Sequence, residues 1–419
     1  MEPSRPDPIA VAQPEPGERL LSQRARSARS SVIRDLLRLV ERPGVRSMAG
    51  GLPAPESFPV ERMRVAVDRV LGRSVGIASP LQYGPTEGVG VLREWVAAQA
   101  EPAATADQVV ITTGSQQGLD LLAHALCDPG DVIVVEEPAY LGALQAFRTA
   151  GATLVPVPLV RDAGPDGDGL DVDDLAAHLA GGLRPKACYV APNFQNPTGA
   201  TMSAARRVRL GALADQYGFV VIEDDPYRDL RFAGDPQPSI RRSSELVVCL
   251  GSGSKVLAPG LRVGWMVAPA WLVPAVVRLK QARDLHTSSL SQWVAHDVLA
   301  DDAFIAHHRL TLAELYGSRC AALVDALGRH LGDRIEFAAP DGGMFVWGSI
   351  AGVDTTALLP IAVEEGVAFV PGGAFYVEDD APDGRDRVRL SFATLLPAEL
   401  DDAVARLARA VARTAQPVH

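Results

Sequence analysis

Lys255 follows the apolar run LVVCLGSGS, and Arg262 stands seven residues further on. A lysine at the enclosed end of a strand loses solvation, and its amine can attack a carbonyl carbon. On an open edge the same pattern is a surface lysine with its stem on the protein and its charge in water. Three further segments carry chemistry in comparable places. In ITTGSQQG, Gly114, Ser115 and Gln116 lead from a strand into a helix. They would present backbone N–H groups to an anion such as phosphate, although Gly-Ser before a helix can be only a cap. FQNPTG offers an amide, Asn196, in what read alone is a plain turn. IEDDPY sets Asp224 directly after a continuous apolar run, so its carboxylate is partly buried and needs a cationic partner.

These segments sit at the ends of strand-like runs. The runs are QVVITTG (108–114), DVIVVEEP (131–138), ATLVPVPL (152–159), ACYVAPN (187–193), FVVIEDDPY (219–227), LVVCLGSGSK (246–255) and RVGWMVAP (262–269). Most are apolar throughout rather than alternating, as in strands covered on both faces. Helical stretches over 116–127, 139–150 and 203–217 lie between several of them. Alternation of this kind predicts an α/β fold with a mostly parallel seven-stranded sheet between helices. In such sheets ligands bind beyond the carboxyl ends of the strands. A phosphate nest, an Asn turn, a semi-buried Asp and a Lys–Arg segment follow one another at those ends. Pyridoxal 5'-phosphate has a phosphate, a phenolic oxygen, a pyridine nitrogen and an aldehyde, and each needs one of those groups.

The rest of the chain narrows the class. It has 419 residues, 47% apolar and 22% charged, with a formal net charge of -11 and both signs mixed. That is enough chain for a large core, and it provides no basic stripe for nucleic acid. Cys127, Cys188, Cys249 and Cys320 lack CxxC spacing and read as free thiols of a reducing compartment. No metal-binding pattern is present, and no run is apolar for long enough to cross a bilayer. The Pro-rich acidic start, residues 1–18, reads as a disordered tail without a signal-peptide core, which predicts a cytoplasmic protein. The run SSVIRDLLRLV spaces Val32, Leu36, Leu37 and Val40 as on a helix, capped by Ser30 or Ser31. A Gly- and Pro-rich loop follows it. A long helix over 302–331, a short αβ segment ending in DRVRLSFA and a final helix close the chain. The expected division is an N-terminal arm over 19–60, a large domain over 61–300 and a smaller α/β domain over 301–419, the arm joining the latter.

The segments SMAGGLPAPESFP, LQYGPTEGVGVLRE, ITTGSQQGLDLL, EEPAYLGALQAF, FQNPTG, EDDPYRDL, GSGSKVLAPGLRVGW, DLHTSSLSQ, GGMFVW, FVPGGAFY and RVRLSFA together resemble the fold-type I pyridoxal-phosphate enzymes, aminotransferase class I/II. The likeness runs from about residue 30 to 412 and is strongest to the 2-aminoadipate/kynurenine-type aminotransferases and the aminotransferase domain of MocR regulators. It implies that Lys255 carries the cofactor as an internal aldimine and that Asp224 pairs with the pyridine nitrogen. Tyr227 and Asn196 would donate to the phenolate, and Tyr140 would stack on the ring. Ser115, Gln116, Ser252, Ser254 and Arg262 would hold the phosphate, with Tyr83 reaching the partner subunit's phosphate in a homodimer of shared sites. Arg389 would clamp the substrate α-carboxylate, Asn196 and Gly51 would also face substrate, and Arg34 and Ser31 would lie over its side chain. Pro226 stands where many members have Ala, and Gly253 where an aromatic is common; neither removes a functional group.

The expected reaction moves an amino group between an L-amino acid and a 2-oxo acid through pyridoxamine phosphate. Two alternatives stay open at this point. One is another pyridoxal-phosphate reaction on the same scaffold: decarboxylation, lyase or oxidase chemistry. The other is an effector-binding domain of the MocR type, which would need a winged-helix domain where only about thirty polar residues precede the fold.

Overall fold

The seven apolar runs become strands of one sheet, and their alternation decides which side chains meet. The computed structural model describes residues 20–27, 44–72, 79–161, 166–378 and 381–414. The tail 1–18, the expected helix over SSVIRDLLRLV, Ser31 and Arg34 lie outside them. The first strand, β1 (Arg46–Ser47), precedes the large sheet. That sheet contains β2 (Val109–Thr112), β3 (Val132–Glu137), β4 (Thr153–Val160), β5 (Gly169–Leu170), β6 (Ala187–Val190), β7 (Val220–Asp224), β8 (Val247–Ser252) and β9 (Gly264–Val267). The order across it is β2-β9-β8-β7-β6-β3-β4-β5.

The sheet therefore has eight strands, not the seven expected. The extra one, β5, is two residues long and pairs antiparallel with the end of β4; a Gly-Leu pair gives no apolar run to read. The β3–β4, β3–β6, β6–β7 and β7–β8 pairs are parallel. β9 runs against both of its neighbours, so β2 points the same way as β8.

Side chains alternate across a strand. Ile133, Val135, Tyr189, Ile222, Val248 and Leu250 pack on one face, against the helices Ser115–Leu126, Leu141–Ala150 and Val273–Asp284. Val134, Cys188, Val190, Val221 and Val247 pack on the other, against Val172–Ala180 and Ala204–Tyr217. Asp224 and Ser252 share parity with the first set; Glu223 and Asp225 share it with the second. The acidic cluster of IEDDPY is thus split between two faces of the sheet.

The second sheet is antiparallel. It is built from β10 (Glu336–Phe337), β11 (Phe345–Ser349), β13 (Val370–Pro371) and β14 (Arg387–Ser391) in the order β10-β11-β14-β13. β12 (Val367–Ala368) pairs in parallel with β1. The long helix Asp302–His330 and the last helix, Pro397–Thr414, complete this part. Met48 ties the chain ends together: its N–H donates to Ala368 O at 2.8 Å, and its carbonyl accepts from Ser391 N at 2.8 Å. The segment from Met48 to Gly51 thereby runs beside β14.

Arg207 fixes the loop after β6. It is buried, and its guanidinium donates to Met202 O, Pro238 O, Pro192 O and Asn193 Oδ1 at 2.8–3.0 Å, with Glu223 3.8 Å away. Breaking a buried pair leaves its partner uncompensated, at a cost of about 3–5 kcal/mol. Arg207→Met is expected to lower the melting temperature of the apoprotein by several degrees in a thermal scan; an unchanged transition would remove Arg207 as the anchor of this loop.

Candidate active site

The carboxyl ends of β6, β7 and β8 and the helix starting at Ser115 enclose one cavity. Ser115, Gln116, Tyr140, Asn196, Asp224, Tyr227, Ser252, Ser254, Lys255 and Arg262 all line it, together with Tyr189, Ala191, Pro226 and Pro259. Ten residues singled out in the sequence are therefore brought together. Each arrives for a local reason.

Gly114 caps the helix Ser115–Leu126 with φ +82°, a conformation open to glycine at no steric cost. A Cβ there would sit 2.3 Å from Arg262 Nη2. The missing side chain thus lets the guanidinium approach the helix start, where Arg262 donates to Thr113 O at 3.0 Å. First-turn N–H groups have no acceptor within their own helix, so those of Ser115 and Gln116 face the cavity beside a cation. Gln116 uses its side chain elsewhere, donating to Gly142 O at 2.7 Å and accepting from Tyr140 Oη at 3.3 Å. Ser252 Oγ accepts from Ser254 N at 3.1 Å and tightens the turn into Lys255.

Asp224 lies at the floor. Its Oδ2 accepts from Tyr189 Oη at 3.2 Å, while Oδ1 is buried without a hydrogen-bond partner. Burial pushes its carboxyl up to about 7, with Asp225 adding like-charge repulsion. Lys255 is in the opposite condition. Burial, with Arg389 and Arg262 nearby, lowers its ammonium to about 8. Its Nζ donates to Gly51 O at 2.9 Å and lies 5.7 Å from the centre of the Tyr227 ring. Gly51 was read as a substrate contact; here its carbonyl holds the lysine. Burial drives the Tyr227 phenol well above its usual value and also raises that of Tyr140.

Arg389 comes from the second sheet, on β14 between β11 and β13. It is 1% exposed. Nη1 donates to Asn196 Oδ1 at 2.9 Å and Nη2 to Ala49 O at 2.6 Å, and Nε has no hydrogen-bond partner. Its guanidinium carbon lies 4.2 Å from the ring centre of Phe345 and 5.1 Å from that of Phe375. Among the described residues no carboxylate pairs with it, and burial lowers it to about 10.

Sequence reasoning missed the residues that hold the floor and the Asn turn. Tyr189 sits inside an apolar strand and reads as core. Glu136 is buried, pushed up to about 8 by that burial, and accepts from Ala191 N at 2.9 Å and Gln195 Nε2 at 3.1 Å. Gln195 in turn accepts from Thr198 N at 2.8 Å and Thr198 Oγ1 at 2.7 Å, which sets the turn carrying Asn196. Only strand parity could have separated Glu136 from its less buried neighbour in EEP. Tyr83 is not in the cavity: it is 78% exposed and rests edge-on against His286. Ser31 and Arg34 fall outside the described residues. A second cavity, lined among others by Trp95, Glu223, Asp225 and Cys249, shares Pro226 and Ser252 with the first but is lined by neither Lys255 nor Asp224.

Pyridoxal phosphate fits this inventory. The helix start with Arg262 suits a phosphate, the orphan Asp224 Oδ1 suits a protonated ring nitrogen, and the enclosed amine of Lys255 suits an aldehyde. The fold and the site define a pyridoxal-phosphate-dependent transferase of fold type I. The chain belongs to the aminotransferase class I and II family, whose sequence pattern matches residues 60–407. The aromatic-amino-acid aminotransferase 1 of Thermococcus litoralis is 39% identical over 405 residues, 94% of this chain and 94% of its own length. The 2-aminoadipate transaminase of Thermus thermophilus is 40% identical over 392 residues, 91% of this chain and 94% of its own. The crystal structure of the alpha-aminoadipate aminotransferase of Thermus thermophilus, complexed with N-(5'-phosphopyridoxyl)-L-leucine, aligns with a TM-score of 0.85 at 38% identity, over 95% of this chain and 98% of that one. The protein is an aminotransferase that uses pyridoxal phosphate.

A carboxyl held at about 7 in the fold, against an ordinary 3.8, binds its proton more tightly folded than unfolded. Its contribution to stability is whole below about pH 4 and is lost as pH rises through 7. Apoprotein carrying Asp224→Asn escapes that loss. It is expected to melt above the wild type at pH 8, with the gap closing toward pH 5. Equal melting at pH 8 would mean that Asp224 is not an unpaired buried charge.

Proposed function

We propose that Lys255, Asp224 and Arg389 divide the transamination between them, and that Arg389 selects an α-amino acid by its carboxylate. The observation that carries this reading is the buried guanidinium of Arg389, which has no carboxylate partner among the described residues and is hydrogen-bonded to Asn196 in the wall of the Lys255 cavity. Such a group costs free energy unless an anion comes to it. A planar guanidinium binds a carboxylate through two parallel charge-assisted hydrogen bonds, a geometry that lysine lacks. Asn196 Oδ1 and Ala49 O fix the fork from behind.

When bound, pyridoxal phosphate supplies the electron sink for the pair left by breaking the Cα–H bond. The residues do the rest. The helix start at Ser115, with Ser252, Ser254 and Arg262, would hold the phosphate. Asp224 Oδ1 would keep a proton on the ring nitrogen, since an opposite charge at hydrogen-bond distance favours the protonated form. Tyr227 and Asn196 would donate to the phenolic oxygen, and Tyr140 would cover the ring face. Lys255 Nζ would hold the aldehyde, and its amine would be the group that accepts the proton from the substrate Cα. Its lowered basicity suits that work near neutral pH. Arg389 would orient Cα so that this proton is the one removed.

Four assignments go with this reading. Tyr83, Leu81 and Leu285, the chain neighbour of His286, are all exposed, which favours a homodimer in which Tyr83 completes the partner's phosphate site. The domain division at about residues 60 and 300, a cytoplasmic location and a role in amino-acid biosynthesis belong to the same proposal. Among the described residues no helix is long and apolar enough to cross a membrane.

Single amino acids added to the loaded enzyme without an oxo acid test the reaction. One equivalent of 2-oxo acid per site is expected, and the responsive amino acids define the donor class among acidic, aromatic and guanidino candidates. Carbon dioxide or free ammonia instead would sink the reading. Arg389→Lys is expected to lower kcat/KM for every responsive donor by roughly 10- to 150-fold, the loss of one strong charge-assisted hydrogen bond; a normal value would displace Arg389 from the carboxylate. Borohydride treatment followed by intact-mass measurement should fix the cofactor on the wild type and not on Lys255→Ala. Asp224→Asn should keep bound cofactor and lose most turnover; a near-normal rate would show that Asp224 is misassigned.

A further inference from the structure

Among the described residues Lys280 is the most deeply enclosed amine outside the active site, and it sits directly behind the phosphate end. It lies on the helix Val273–Asp284, and its side chain is 0% exposed. Nζ lies 2.9 Å from both carboxylate oxygens of Asp284, 3.0 Å from Gln117 Oε1 and 3.0 Å from Thr287 Oγ1. Asp284 Oδ2 accepts from Thr113 Oγ1 at 2.9 Å and from Gln117 Nε2 at 2.7 Å. Gln117 Oε1 also accepts from Thr113 N at 2.8 Å. Thr287 completes the knot, 3.2 Å from Thr113 Oγ1 and 3.3 Å from Ile111 O.

The three partners of Lys280, which are Gln117, Asp284 and Thr287, all meet Thr113. Its N–H is held by Gln117 and its hydroxyl by Asp284 and Thr287. Its carbonyl accepts from Arg262. Thr113 is the residue before Gly114, so its peptide sets the direction of the helix start and the reach of Arg262 together. The ion pair of Lys280 with Asp284 adds no net charge to the site. What it contributes is direction.

We propose that Lys280, with Asp284 and Thr113, is a positioning element for the cofactor phosphate, holding the helix start and Arg262 in convergent orientation. The proposal rests on the assignment of Ser115 and Arg262 to the phosphate. It distinguishes Lys280 from a residue that merely glues its helix to the sheet edge. General loosening would weaken binding of the whole cofactor, whereas misdirected phosphate donors would weaken only the phosphorylated form.

The test uses full-length apoprotein titrated with pyridoxal phosphate and with pyridoxal, followed by absorbance and protein fluorescence. The wild type is expected to prefer pyridoxal phosphate strongly; no preference would overturn the phosphate assignment itself. Lys280→Met is expected to raise the Kd for pyridoxal phosphate about tenfold, the scale of one lost hydrogen bond, and to change that for pyridoxal less than about twofold. Because removing Lys280 leaves Asp284 unpaired and could prevent folding, Thr113→Val provides the second arm. It keeps the ion pair and the side-chain shape and deletes only the hydroxyl link. It should shift the same ratio in the same direction, by less. Equal weakening of both ligands, or an unchanged ratio in folded Thr113→Val, overturns the proposal.

Discussion

A carboxylate lies buried in the wall of the cavity and a guanidinium lies buried just behind that wall, bonded to Asn196, and the described residues supply neither with a counter-charge. That constraint organises the rest of the site. Asp224 and Arg389 do not neutralise one another, because Asp224 ends a strand of the large sheet while Arg389 reaches in from the second sheet and is held by Asn196 and Ala49. Each is kept apart by hydrogen bonds to neutral groups, so each retains its demand for an opposite charge. In the proposed reading the cofactor ring and the substrate carboxylate answer those demands. An unpaired buried charge is expensive, and in that reading the expense is the recognition.

The surrounding network serves to keep these charges in place. Tyr189 limits the rotation of Asp224. Glu136 and Gln195 pin the turn that carries Asn196, and Asn196 in turn pins Arg389. Behind the helix start, Thr113 is held from three sides. Strand parity decides membership throughout, since Asp224 faces the cofactor chamber while Glu223 and Asp225, one residue either side, face away toward Arg207 and Asn193.

Much of this was legible from residue types. Asp224 could be found because it ends an apolar run, Lys255 and Arg262 because they bracket a short turn after another. Tyr189, Glu136 and Lys280 could not. A tyrosine inside ACYV has the pattern of core, and a glutamate in EEP and a lysine on a helix both read as surface until their burial is known. Their roles arise from contacts made across the sequence, which periodicity does not report. β5 escaped for a different reason, since a two-residue strand is defined by its partner rather than by its own composition. Tyr83, exposed in a single chain, gains its assigned role only within the proposed homodimer.

The bond from Lys255 to the carbonyl of Gly51 spans 204 positions of sequence, and that from Arg389 to Ala49 spans 340. Contacts this remote must wait for loop closure over most of the chain, which slows folding. During synthesis the nucleus of the large sheet can form while β14 has not yet been made. Arg389 is then still missing from behind Asn196. Cofactor that binds the folded chain and not the unfolded one draws the folding equilibrium forward by mass action. The supply of vitamin B6 in the cell therefore bears on how much of this chain reaches its native state, as well as on how fast the finished molecule turns over.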